Sequence, residues 1–142
     1  MKNILIIDGQ GGKIGRALIE KLLDSGKPLS VTAVGTNSIA TANMLKAGPI
    51  RAATGENSIV AACRKADIIA GPVGIVMVDA MLGEITARAA AAVACADAVR
   101  LLIPMNSMPC ETTIIGVRDL PLGTMIAMAA EEIAALTEEG QS

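Results

Sequence analysis

Asn3-Ile4-Leu5-Ile6-Ile7-Asp8-Gly9-Gln10-Gly11-Gly12-Lys13-Ile14-Gly15 is the stretch that decides the fold. Between its polar ends, the run Asn3 to Asp8 is continuously apolar and rich in β-branched residues. That is the pattern of a strand buried on both faces, as in a parallel sheet. Gly9 to Gly12 reads as a glycine-rich turn. Lys13 to Asp24 then places Ile14, Ala17, Leu18 and Leu22 at helical spacing, and Gly26 ends the helix. A buried strand, a glycine turn and an amphipathic helix form the first half of a βαβ unit.

The same rhythm continues along the chain. Leu29 to Val34 is the second strand. Gly35-Thr36-Asn37-Ser38 is a turn with capping residues, before a helix to about Ala47. Ile50 to Ala53 is a short third strand, Thr54-Gly55-Glu56-Asn57 a polar turn, and Ser58 to Lys65 a helix. Asp67 to Ala70 is the fourth strand, stopped by Gly71-Pro72-Val73-Gly74. Ile75 to Leu82 fits strand and helix equally. Thr86 caps an Ala-rich helix to about Ala96, and Val99 to Ile103 is the fifth strand. Pro104 to Pro109 is a loop, and Thr113 to Val117 reads as a sixth strand at an edge. Pro121 suits the first turn of a last helix to about Leu136, and Thr137 to Ser142 is a polar tail. Strands alternating with helices imply right-handed crossovers and a parallel sheet. The expected architecture is an α/β, Rossmann-like, doubly wound three-layer sandwich of five to six strands. With no linker or composition shift, residues 1–142 read as a single domain.

In such a sheet, ligands bind beyond the carboxyl ends of the strands, where the strand order reverses. The loops expected there are Gly9 to Gly15, Gly35 to Ser38, Thr54 to Asn57, Gly71 to Gly74 and Pro104 to Ser107. They are glycine-rich or small and polar. They either let a ligand approach the backbone or simply form turns. The first is the most informative. Free N–H groups and the helix dipole favour an anion at a helix start. Gly9, Gln10, Gly11, Gly12, Lys13, Ile14 and Gly15 are therefore the candidate phosphate cradle. Gly35, Thr36, Asn37, Ser38, Thr54, Gly55, Glu56, Gly71, Pro72 and Gly74 are the flanking candidates. Lys13 either adds positive charge or is a solvated lysine.

Composition narrows the chemistry. Of 142 residues, 52% are hydrophobic, yet Phe, Trp, Tyr and His are all absent. No imidazole base, Ser-His-Asp triad, His metal ligand or Tyr acid is available. There is no aromatic platform for single-stranded nucleic acid. A net charge of -2 gives no electrostatic footprint for nucleic acid or an anionic membrane. Charged residues are only 18%, which suggests surface hidden in a homodimer or higher homo-oligomer. The last helix belongs either to such an interface or to a two-sided core. Cys63, Cys95 and Cys110 form no disulfide pattern and read as free thiols. No span or leader is evident, so a cytoplasmic location is expected. An adenine would have to lie among aliphatic side chains such as Ile39, Val73 or Ile75.

The acids near the ligand edge are Asp8, Glu56, Asp79 and Glu84. Asp8 is either a turn-stabilising acceptor or a base or Mg²⁺ contact. Asp79 and Glu84 are too poorly spaced for a metal pair, so no metal site is expected. Cys110 lacks a His to activate it. Dinucleotide folds usually put an acid at the end of the second strand for the ribose 2′-OH. Here Val34 is followed by Gly35-Thr36-Asn37-Ser38, with no acid. That argues against NAD and leaves NADP open without the Arg it would need. A mononucleotide or another phosphate fits equally.

With Gly9, Ile14 and Gly15, the first loop resembles the phosphate loop of short-chain dehydrogenases/reductases with Lys13 in place of one glycine. Without Tyr, their chemistry cannot follow. Ala66-Asp67-Ile68-Ile69 and the glycine loop are similar to the nucleotide-binding regulatory domains of potassium-transport proteins. Ile7 to Gly12, Gly35 to Ser38, Thr54 to Asn57 and Met81-Leu82-Gly83-Glu84-Ile85-Thr86 together resemble a small bacterial family catalogued only as a domain of unknown function. That resemblance implies the Rossmann-like fold and brings no activity. The function expected is binding of a nucleotide, NAD(P) or another phosphorylated small molecule, with output as a sensor or regulatory oligomer. One alternative is a small enzyme assisted by Lys13, Asp8 or Glu56. The other is a structural oligomer with a vestigial site.

Overall fold

The protein's computed structural model describes residues 1–105 and 112–139. The strands are β1 (Asn3–Asp8), β2 (Ser30–Gly35), β3 (Arg51–Thr54), β4 (Ile68–Pro72) and β5 (Val99–Ile103). The helices are α1 (Lys13–Asp24), α2 (Ser38–Leu45), α3 (Glu56–Cys63), α4 (Ala87–Cys95) and α5 (Leu122–Glu139). All strand pairs are parallel, in the order β3-β2-β1-β4-β5. The order reverses between β1 and β4, at the centre of the sheet.

Alternation along β1 explains the layers. Ile4 and Ile6 face one core with Leu18, Ile19 and Leu22 of α1, Met44 of α2, and Ile126 and Ile133 of α5. Leu5 and Ile7 face the other, with Ile59 and Cys63 of α3 and Ala89, Ala90 and Val93 of α4. A central parallel strand must be apolar on both faces because helices cover both. The absence of aromatics is met by Ile, Leu and Met at the largest buried positions. This is the Rossmann-like three-layer sandwich that the sequence implied.

Several boundaries differ from expectation. Thr113 to Val117 is not a strand: Ile115 and Gly116 form a turn, with Gly116 at φ +89°. That left-handed residue breaks the extension a strand needs. Residues 75–82 are neither strand nor α-helix. A 3₁₀ turn, Val73–Val76, leads into successive turns. Strand β4 continues through Gly71 and Pro72, which pair with Leu102 and Ile103. Pro72 lies past the last β1–β4 pair, Ile6 with Ala70, where a missing N–H is tolerated. Helix α5 runs beyond Leu136. Thr137 is buried and donates to the Ala134 carbonyl at 2.7 Å, and Glu138 pairs with Lys27. One face of α5 enters the core through Ile126 and Ile133, while Met128, Glu131 and Glu132 are exposed. Asn106, Ser107 and Cys110 lie outside the described residues.

Candidate functional site

The carboxyl ends of β1, β2 and β3 are tied together by backbone bonds. The Asp8 carbonyl accepts from the Thr36 amide at 3.1 Å, and the Gly35 carbonyl from the Gly55 amide at 2.9 Å. Above them, the β1–α1 loop is closed by the Gly12 amide donating to the Gly9 carbonyl at 2.9 Å. Gly12 sits at φ +72°, and a Cβ there would stand 2.6 Å from the Ala40 carbonyl oxygen of α2. Glycine is required both for the left-handed turn and for this close approach. Gly15 serves helix packing instead. A Cβ there would meet Met44 Sδ at 2.5 Å and Asp8 Cβ at 3.0 Å, so α1 seats close against the strand.

Asp8 holds this loop from below. Its two carboxylate oxygens accept from the Gly9 and Gly15 amides, each at 2.8 Å. Burial raises its pKa above the ordinary aspartate range, opposed by those amides, and the nearby Glu84 charge adds to the rise. Both oxygens are engaged by backbone, which fits the turn-stabilising role rather than a free base.

Glu84 is the residue that sequence reading underweighted. It comes from the turns after β4 and reaches across the crevice. A single oxygen, Oε1, accepts from the Gln10 amide at 2.9 Å, from Asn37 Nδ2 at 2.7 Å and from the Thr36 hydroxyl. Burial alone would raise its pKa, but the hydrogen bonds from Thr36, Gln10 and Asn37 prevail and hold it below the usual glutamate range. The supporting turn is unusual. Asp79, Met81 and Leu82 all have positive φ, followed by Gly83 at +91°. Left-handed non-glycine residues are strained by about 1–3 kcal/mol each. Buried Ala80, Met81 and Ile85, with the Asp79 amide donating to the Ile85 carbonyl at 2.7 Å, hold the turn in place.

Asn37 and Asn43 complete the frame. Asn37 caps α2, accepting from the Ala40 amide at 2.9 Å, and donates to the Gln10 carbonyl at 3.0 Å. Asn43 donates to the Gly11 carbonyl at 2.8 Å and accepts from Arg16 at 2.9 Å. Neither Asn43 nor Arg16 carried a sequence signal, because each reads as a polar residue on a helix. Among the described residues, the amides of Gly11 and Lys13 have no hydrogen-bond partner. Gly11, Gln10 and Lys13 are exposed.

The structure thus gathers Gly9 to Gly15 with Gly35, Thr36 and Asn37. Ser38 is exposed at the start of α2, beside its cap Asn37. Thr54 bonds to Thr41 at 2.7 Å, while Gly55 and Glu56 open α3 toward Arg88, 3.4 Å from Glu56. Among the described residues, no hydrogen bond joins that group directly to the glycine loop. Gly71 and Pro72 are buried in β4. Gly74 is buried in the turn that follows, its missing Cβ 3.1 Å from Ala80 Cβ. Val73 and Ile75 are also buried, Ile75 within the core, so of the aliphatic neighbours expected for an adenine only Ile39 is open. Beyond α1, a cavity of about 500 Å³ is lined by Ile14, Pro104, Met105 and the Asp119–Met125 region. Cys63 is buried, which pushes its thiol pKa up, and Cys95 is exposed. No helix of the described residues is long and apolar enough to cross a membrane.

A parallel sheet reversing at a glycine loop that opens a helix defines a Rossmann-like α/β protein. More particularly, the chain belongs to the family described as Domain of unknown function (DUF3842), which matches residues 3–138. No curated protein matches it. Among solved structures, it is similar to a dodecameric FMN-dependent Ubix-like decarboxylase from Escherichia coli O157:H7. The identity is 17%, over 94% of this chain and 76% of that one, with a TM-score of 0.48.

Proposed function

We propose that this protein binds a nucleotide or other phosphorylated small molecule at Gly9 to Gly15 and acts as a sensor or regulatory homo-oligomer in the cytoplasm, with residues 1–142 as one domain. The observation that carries this reading is the pair of amides, Gly11 and Lys13, without a partner among the described residues, at the N-terminus of α1, where the strand order reverses. Such amides, with the helix dipole, stabilise an anion. Lys13 is exposed beside them. The cavity that begins at Ile14 is of small-molecule size. A binding role is favoured over catalysis because the two acids considered as assistants are engaged elsewhere: Asp8 by backbone amides and Glu56 by Arg88.

Calorimetry and thermal shift against NAD, NADP, ATP, AMP and coenzyme A test the reading. Gly11→Glu is the companion variant. A Cβ at Gly11 meets nothing within 4 Å, so the substitution adds a carboxylate without a clash. Saturable binding that Gly11→Glu abolishes, with the fold intact by circular dichroism, is the expected result. Binding indifferent to Gly11→Glu, or no binding at all, overturns it.

A further inference from the structure

We infer that Glu84 recognises a free ribose hydroxyl of the ligand at the glycine loop, and that it makes the site selective for ribonucleotides over 2′-deoxy and 2′-phosphorylated counterparts. This inference rests on the phosphate reading of the loop and deepens it.

Strand β2 ends at Gly35, and the next residues, Thr36 and Asn37, carry no acid. Dinucleotide folds place a carboxylate at this point to hold the ribose 2′-OH. The tertiary structure delivers one from elsewhere in the chain. Glu84 Oε1 accepts from the Thr36 hydroxyl and Asn37 Nδ2 at the end of β2, and from the Gln10 backbone amide after β1. A Cβ on Gly9 would stand 3.0 Å from the same oxygen, so the carboxylate lies directly over the β1 end. The position left vacant in the linear pattern is thereby filled in space.

The hydrogen bonding leaves an acceptor over. All three donors converge on Oε1, and among the described residues Oε2 has no partner. A carboxylate oxygen accepts and cannot donate, so it calls for a donor on the ligand, and on a ribose that donor is a hydroxyl. Like any unshifted glutamate it is ionised at neutral pH, and its three donors favour the charged form further. A phosphate group on the same ribose oxygen would set like charges together, which is disfavoured. The turn carrying left-handed Asp79, Met81 and Leu82 precedes Glu84, and the bonds from Gln10, Thr36 and Asn37 hold its carboxylate at the ends of β1 and β2 without a ligand.

The test uses calorimetry with AMP, GMP, CMP and UMP, each beside its 2′-deoxy form, and with adenosine 2′,5′-bisphosphate. The wild-type protein is expected to bind a ribonucleotide about tenfold more tightly than its deoxy form, the scale of one charged hydrogen bond. It should also bind AMP more tightly than the bisphosphate. In Glu84→Gln the ribo and deoxy affinities should converge to about twofold, and rejection of the bisphosphate should relax. Equal wild-type affinities for ribo and deoxy forms overturn the role of Glu84 and leave the phosphate reading standing. Binding of none of these probes overturns the role of Glu84, and overturns the phosphate reading as well when NAD, NADP, ATP and coenzyme A also fail to bind. Discrimination that survives in Glu84→Gln also overturns it, reducing Glu84 to a staple between two loops. Should Glu84→Gln fail to fold, Glu84→Asp, which keeps the charge but draws it back from the loop, takes its place with the same expected convergence.

Discussion

Two carboxylates at the glycine loop respond to pH in opposite senses. Burial raises the pKa of Asp8, so the folded state binds more protons than the unfolded chain, and stability from this group falls as pH rises. Its contribution is full below the ordinary value of 3.8 and is lost as pH rises through the raised folded value. Urea titrations of wild type and Asp8→Asn should therefore show the wild type gaining relative to the variant as the medium becomes acidic. A gap that shrinks toward acid would contradict the burial argument. Glu84 has the other sign. Its contribution is present above the ordinary 4.5 and is lost as pH falls through the lowered value. The gap between wild type and Glu84→Gln should close on acidification, by a small amount because Glu84 is only partly buried. Gly12 makes a third case at this scale. Gly12→Ala combines a left-handed φ with a Cβ against the Ala40 carbonyl, so a loss of about 2 kcal/mol or more in urea unfolding is expected.

Element boundaries show which local signals were legible. Helix α1 begins and ends at the residues implied by the glycine loop and Gly26, because its cues are local: apolar spacing, a left-handed start and a glycine stop. Thr86 was legible as a cap for the same reason, and its side chain accepts from the Ala89 amide at 3.1 Å. Thr86→Ala should lower stability by about 1 kcal/mol, read as a fall in melting temperature with far-UV circular dichroism otherwise preserved. Where cues were non-local, the reading failed. Thr113 to Val117 has the composition of a strand, but strands need a partner edge, and Gly116 turns the chain away. Residues 79–85 have no periodic pattern because their conformation comes from their own backbone bonds and a buried apolar base.

At the scale of the whole molecule, the β5–α5 side carries exposed apolar side chains. Val99, Val117 and Met128 are exposed there, next to the partly buried Leu101 and Leu102 of an edge strand. An edge strand with apolar side chains exposed beside it favours association. Sedimentation at tens of micromolar is expected to show an oligomer, and Met128→Lys to shift it toward smaller species. A wild-type monomer under those conditions would count against the oligomeric part of the proposed function. The sequence by itself determined the two-faced apolar strands, the glycine loop and the helix rhythm, hence the fold class, because these follow from side-chain periodicity and local turn chemistry. It also placed the candidate cradle at Gly9 to Gly15. Only the tertiary structure decided that Asp8 is locked by backbone amides and that Glu56 pairs with Arg88. It alone brought Glu84 to the end of β2. The physical reason is topological: parallel strands distant in sequence end at one edge, and a crossover loop can supply there a charge that no linear motif contains.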